Sequence, residues 1–281
     1  MSEFAERVGI VVGGGGGIGR AVAEALAQMG ARLAIVDRGT EPDGTGGDPE
    51  IAAGTVRALE ALGTRAIALP LDATDPESAR SAIAATKEAF GHVDFGVYCA
   101  GFHHERPLLR TRDDELARVL DLHLIAPTRF ARELARTLVA DKRPGSIVLA
   151  TSGAAFVGSA GQSALATAAG GVVGFVRTAA TELRRHDVRI NAVVPTARTR
   201  QTAHLPLFAS IRADSLTPEH VAQVVAHLLS NDARDVHGEA IGVAGGRIYT
   251  FRHIETSGAF LEGPPPSLAA IGAAWRDVTR R

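Results

Sequence analysis

The stretch "IVVGGGGGIGRAVA", Ile10 to Ala23, sets a run of glycines between an apolar β-type segment and a helical pattern. Gly14, Gly16 and Gly19 satisfy G-x-G-x-x-G, a spacing that lets a strand turn tightly into a helix while backbone N–H groups approach a pyrophosphate. Asp37 closes the next apolar run, 18 residues beyond Gly19, where a carboxylate can accept hydrogen bonds from ribose hydroxyls. Such a carboxylate repels a 2′-phosphate, so the combination points to a dinucleotide site that favours NAD over NADP. Arg38 opposes that preference, because its guanidinium could pair with the same phosphate. A plainer reading stays open, in which the glycines only pack a helix on a sheet and Asp37 caps a strand end. Each surplus glycine costs about 0.5 to 1 kcal/mol of chain entropy, which disfavours it.

Other reactive groups are sparse. Cys99 is the only cysteine, so neither an intramolecular disulfide framework nor a cysteine zinc site can be built, and a reducing cytosol suits the chain. His103 and His104 are adjacent, and neighbours on an extended segment point apart. They suit a loop better than a metal pair, and no metal is expected.

Positioning such a site requires a sheet whose strands end together. Short apolar runs occur at Val8 to Val12, Arg32 to Val36, Ala66 to Leu69, Val93 to Tyr98, Ser146 to Ala150, Ile190 to Val194 and Ala240 to Val243. Longer helical patterns separate them. Ile18, Val22, Leu26 and Met29 recur at helical spacing, and Thr217 with Pro218 marks a helix start. The alternation predicts a single doubly wound α/β domain of Rossmann type, with a seven-stranded parallel sheet flanked by helices. We place that domain over residues 1–250 with a substrate loop at 196–216. Residues 251–281 form an extension expected to pack on the same domain or on a partner subunit. Arg38 to Glu50 and Glu262 to Ser267, rich in glycine and proline, are expected loops.

Hydrophobic residues make up 46% of the 281 and charged residues 22%, with a formal net charge of -1. That balance argues against a nucleic-acid surface and for a small-molecule substrate. No run approaches the roughly 20 apolar residues of a membrane span, so a cytoplasmic protein is expected.

"VGGGGGIG", "LDATD" (Leu71 to Asp75), "YCAG" (Tyr98 to Gly101), "GSIVLATS" (Gly145 to Ser152) and "RINAVVP" (Arg189 to Pro195) resemble, in order and spacing, the short-chain dehydrogenase/reductase family. More narrowly, the pattern is similar to the (3R)-hydroxyacyl-CoA dehydrogenase domain of the peroxisomal multifunctional enzyme type 2 group and its bacterial relatives. That likeness rests on the long loop after Asp37, His123 in "LDLHL", Arg200 in "PTARTRQT", and "GGRIYTFRHIETSGAF" leading to Trp275. The resemblance implies that Gly13, Gly17, Ile18 and Gly19 line the pyrophosphate turn and that Asp37 holds the ribose. It places Asp72 at the adenine and Ala100 and Gly101 on the inner cofactor wall. Val12 and Cys99 stand where the family has threonine and asparagine.

The resemblance also implies a serine that orients a carbonyl, a tyrosine that moves the proton, and a lysine that lowers the tyrosine pKa. The serine is Ser152, but the tyrosine position falls on Leu165 and the lysine position on Ala169. The chain's two tyrosines and two lysines, Tyr98, Tyr249, Lys87 and Lys142, include no Tyr-x-x-x-Lys. Ser152 and His123 remain as candidate catalytic groups, His123 standing where most of the family has asparagine. His123 could equally hydrogen-bond only a backbone carbonyl.

Three functions follow. One is an NAD-linked oxidoreductase acting on a hydroxyacyl, ketoacyl or polyketide-like substrate, an acyl thioester among them, by a non-standard mechanism. Another is a non-redox enzyme such as a cyclase, isomerase or dehydratase. The third is an inactive partner of an intact relative. Gly170, Gly171 and Gly174 beside Val172, Val173 and Phe175 give a small, apolar helix surface, from which a homodimer, a homotetramer or a heteromer is expected.

Overall fold

The computed structural model describes residues 3–212, 214–252 and 255–279, which form two compact units, Met1–Thr250 and Phe251–Arg281. In the first, β1 (Val8–Val12), β2 (Arg32–Val36), β3 (Ala66–Leu69), β4 (Phe95–Tyr98), β5 (Gly145–Ala150), β6 (Val188–Thr196) and β7 (Ala240–Ala244) pair in parallel in the order β3-β2-β1-β4-β5-β6-β7. β1 is buried along its whole length, as a strand covered on both faces must be. The strand order reverses between β1 and β4, and ligands of open α/β sheets bind at the carboxyl ends of strands beside such a reversal.

The seven parallel strands carry an eighth. β8 (Arg247–Thr250) pairs antiparallel with β7, with Ala244 opposite Arg247 across the two-residue turn Gly245-Gly246. Glycine pairs are a hairpin signal, so the segment was readable once β7 was in place. β4 starts at Phe95 and not at Val93, because the Asp94 carboxylate accepts the Val8 N–H at 2.8 Å and Arg143 Nη2 at 2.6 Å.

Helices cover the sheet. α1 (Gly17–Gln28) packs against α7 (Pro218–Leu229), burying Val22 and Leu26 in the core that holds Val221, Val225 and Leu229. α2 (Pro49–Ala61) is capped by the Asp48 carboxylate, which accepts the Glu50 N–H, and α3 (Ser78–Phe90) ends on left-handed Gly91. α4 (Asp113–Leu120) runs through a single π turn, Asp121–Ile125, into α5 (Ala126–Ala140). α6 (Ser163–Leu183) packs on β6 and on that π turn. By length and composition Ser163–His186 would cross a membrane, more than the sequence patterning suggested, yet Ala168, Val172 and Val176 lie in the protein interior.

The second unit holds α8 (Leu268–Thr279), and Thr256 Oγ1 donates to the Val278 carbonyl at 2.9 Å. His253 and Ile254, within the late family-like segment, lie outside the described residues.

Candidate functional site

Crowding by neighbouring backbone makes glycine a necessity at two positions of the turn. Gly13 has φ +80°, and a Cβ there would stand 2.4 Å from the Ala100 backbone nitrogen. A Cβ on Gly19 would stand 2.1 Å from the Gly13 carbonyl oxygen, so β1, α1 and the loop after β4 meet without side chains between them. The pressure therefore falls on Gly13 and Gly19, with Gly17 left-handed at φ +51°, whereas a Cβ on Gly16 would only approach Arg200. Gly16 caps α1 without a side-chain hydrogen bond, leaving the first-turn N–H groups to face whatever occupies the turn. Ile18 turns into the core.

Asp37 directly follows β2 with both carboxylate oxygens oriented. Oδ2 accepts the Gly15 N–H at 2.8 Å and Oδ1 the Gly39 N–H at 2.7 Å. Each oxygen keeps acceptor capacity on its outer side. Arg38 points elsewhere, forming an ion pair with Asp72 and donating to the Gly44 carbonyl at 3.2 Å. Asp72 also accepts the Thr74 N–H at 2.9 Å and the Thr74 hydroxyl at 2.7 Å. Burial pushes its pKa up, but the Thr74 hydrogen bonds and Arg38 outweigh it, leaving the group below its ordinary value. The side chain expected at the adenine is thus committed to Arg38 and Thr74.

The inner wall is tied to the π turn. Tyr98, buried at the end of β4, donates its hydroxyl to the Leu122 carbonyl at 3.0 Å, satisfying a group the π turn frees. The Phe102 N–H donates to His123 Nε2 at 3.2 Å, so that nitrogen is an acceptor and the neutral ring carries its proton on Nδ1. Burial, reinforced by the neighbouring His104, lowers the His123 pKa to about 4. A Cβ on Gly101 would stand 2.7 Å from His123 Cε1, and the Gly101 carbonyl accepts Gln201 Nε2 at 2.8 Å. Gly101 is thereby held between the π turn and the loop after β6. Cys99, whose N–H donates to the Val12 carbonyl at 2.8 Å, is half-buried, and desolvation of its thiol pushes the pKa up to about 12. It is inert at neutral pH.

His103 and His104 diverge. His103 Nε2 approaches Glu105 Oε1 at 3.4 Å and its ring meets that of His204 at 5.9 Å, whereas the His104 ring meets that of Phe102 at 6.3 Å. Among the described residues no group of three or more His, Cys, Asp or Glu is placed to hold a metal.

Ser152 follows β5 and caps the short turn Gly153–Ala155, its Oγ accepting the Ala154 N–H at 3.2 Å. α6 packs against that turn, and Thr151 Oγ1 donates to the Ala169 carbonyl at 3.4 Å. Leu165 and Ala169 are one helical turn apart on one face of α6. Leu165 is half-buried and Ala169 is 2% exposed, so neither position offers a proton-transfer group or a polar surface.

The loop after β6 is pinned by residues that sequence reasoning did not single out. Arg198 Nη2 donates to the Phe208 and Ile211 carbonyls at 2.7 and 2.9 Å. Arg200, noted only as a family-like feature, donates to the Thr40 carbonyl at 2.6 Å and bridges two loops beside Gly16. Gln201 bonds to Gly101, 100 residues away, Gly15 to the carboxylate just after the next strand, and Arg198 to carbonyls 10 and 13 residues further along its own loop. No local pattern announces such contacts.

Comparison with known proteins bears on this site. A family model described as enoyl-(acyl carrier protein) reductase matches residues 13–247. A short-chain type dehydrogenase/reductase of Mycobacterium tuberculosis is 31% identical over 279 residues, covering 99% of this chain and 96% of the relative. Peroxisomal multifunctional enzyme type 2 of Drosophila melanogaster is 29% identical over 276 residues, covering 97% of this chain and 45% of that protein. Among solved structures, a short chain dehydrogenase from Mycobacterium avium superposes with a TM-score of 0.85 at 31% identity, covering 98% of this chain and 95% of its own.

Proposed function

The chain belongs to the short-chain dehydrogenase/reductase family, and from that premise we propose that it is an NAD(H)-linked oxidoreductase of a hydroxyacyl or ketoacyl substrate, working without the family's proton relay. One observation carries this reading: Asp37 is oriented by Gly15 and Gly39 while Arg38 is bound to Asp72. A carboxylate so fixed suits ribose hydroxyls, and Arg38, the adjacent cation that would pair with a 2′-phosphate, is already bound to Asp72. The cradle at Gly13 and Gly19, which a Cβ would fill, suits a pyrophosphate.

NAD(H), when bound, gives or takes a hydride at carbon. The protein's own residues orient and exclude. Ser152 Oγ already accepts the Ala154 N–H, so its O–H is free to donate to a substrate oxygen. His123, neutral above a pKa of about 4 and accepting the Phe102 N–H, positions Gly101 and Phe102 and does not deliver a proton at neutral pH. With Leu165 and Ala169 in the relay positions, the proton comes from water. Losing a positioned acid lowers the rate by about 10² to 10⁴ relative to an intact site.

A second reading is a catalytically silent subunit that pairs with an intact relative. The burial of Ala169 and the bare outer face of α6 favour it, since a Cβ on Gly170 or Gly174 would meet nothing within 4 Å. We propose pairing through α6 in either case, as a homodimer, homotetramer or heteromer of the cytoplasm. The test is fluorescence titration with NADH and NADPH followed by NADH-coupled reduction of a 3-ketoacyl thioester. Binding with slow turnover supports the first reading. Binding without turnover on any ketone leaves the silent subunit or a non-redox enzyme, and no binding of either cofactor overturns the proposal.

A further inference from the structure

A cavity of about 260 Å³ opens between the last turns of α6 and the segment entering the amino end of β7. Arg177, Ala180, Thr181 and Arg184 line it from the helix, and His237 and Gly238 from the segment. Gly238 is left-handed at φ +71°, and a Cβ there would stand 3.1 Å from the Ala180 Cβ, so the segment lies directly on the helix.

The lining is cationic and lacks counter-charge. Among the described residues Arg177 and Arg184 make no ion pair and their guanidinium groups no hydrogen bond, although they share one wall. His237 Nδ1 is buried with no hydrogen-bond partner. The other charges near His237 are Arg189, Arg234 and Asp235. Arg189 spends its donors on the Leu228, Ser230 and Ala233 carbonyls, adding positive charge without an acid beside it. Asp235, the one carboxylate there, lies against Arg234 at 3.7 Å. Burial, then Arg184 and Arg189, lower the His237 pKa, and the Arg234 backbone and the Asp235 carboxylate offset them only in part.

We propose that this cavity is an oxyanion site for a phosphate group, free or on a small ester, separate from the dinucleotide cleft. Two guanidinium forks supply paired N–H donors matched to phosphate oxygens, and Thr181 stands between them on the same wall. An anion there also relieves the mutual repulsion of Arg177 and Arg184. The volume lies just below the roughly 300 to 1,000 Å³ of ordinary ligand pockets, enough for a small phosphate ester and too little for a dinucleotide.

Arginine modification by phenylglyoxal, read residue by residue in peptides by mass spectrometry, tests the proposal on the full chain. Inorganic phosphate and glycerol 3-phosphate are added in separate arms. Protection of Arg177 and Arg184, but not of exposed Arg247, is expected in at least one arm. Equal protection by both identifies the free anion as sufficient, and stronger protection by the ester identifies an organic phosphate. The double variant Arg177→Gln with Arg184→Gln should weaken phosphate affinity in calorimetry by at least about ten-fold. Protection confined to Arg20, Arg38 or Arg200 would place the anion in the cofactor turn and overturn the proposal. So would Arg177 and Arg184 that react at the same rate with and without phosphate, or that are already unreactive without it.

Discussion

The Phe102 N–H reaches His123 Nε2 at 3.2 Å, and this single bond sets what the histidine does. Burial in the π turn, helped by His104, lowers its pKa to about 4, so the imidazole stays neutral and keeps Nε2 as an acceptor. Protonation in the folded protein would break the bond and strand a charge. Because the folded pKa lies below the unfolded value near 6.5, the unfolded chain binds the extra proton first. The stabilising contribution is therefore complete above about pH 6.5 and is lost as pH falls toward 4, by about 3 kcal/mol. Urea unfolding of wild type and His123→Asn at pH 7 and pH 4.5 checks this: the variant should lose less stability between the two. An equal loss would mean that His123 does not titrate in this window.

Arg38 and Asp72 give a specificity prediction. Asp72→Asn should release the Arg38 guanidinium toward the ribose, so NADPH affinity rises about ten-fold while NADH affinity changes little. Asp37→Ser should weaken NADH, since the hydroxyls lose their acceptor. Fluorescence titration of both cofactors against both variants measures this. Unchanged NADPH affinity in Asp72→Asn would show that the ion pair does not govern the choice.

Arg198 should control the loop that follows β6. Its guanidinium satisfies the Phe208 and Ile211 carbonyls, and Arg198→Ala leaves both without that donor. A stability loss of about 1 to 3 kcal/mol is expected, with faster proteolysis between residues 199 and 216. Limited proteolysis read by mass spectrometry locates the cut.

These relationships differ in how far the chain announces them. β1 and β2 begin and end where their apolar runs do, because strands buried on both faces leave continuous hydrophobic segments, and half-buried β3 matches its short run as well. The glycine turn was legible as a motif, but only geometry assigned the close contacts to Gly13 and Gly19. The strand after Gly246 escaped because four partly exposed residues carry little hydrophobic signal. The π turn at His123 escaped because Asp121 to Ile125 has the composition of ordinary helix. Arg38 was ambiguous in sequence, its partner Asp72 being 34 residues away.

If a carbonyl-reducing frame survives around two missing groups, restoring both reveals it most directly. Leu165→Tyr with Ala169→Lys places an acid and its tuning cation one turn apart on α6. Tyrosine alone keeps a pKa near 10, and lysine alone has no acid to tune, so the effects should be non-additive. Ala169 is 2% exposed, so folding of the variant must first match wild type by circular dichroism and NADH titration. The measurement is the rate of NADH oxidation with a 3-ketoacyl thioester. A folded, NADH-binding double variant should exceed wild type and both single variants by at least about 10². The same variant with no gain would contradict that survival, since Ser152, His123 and the cofactor wall would then not be arranged for hydride transfer to a carbonyl.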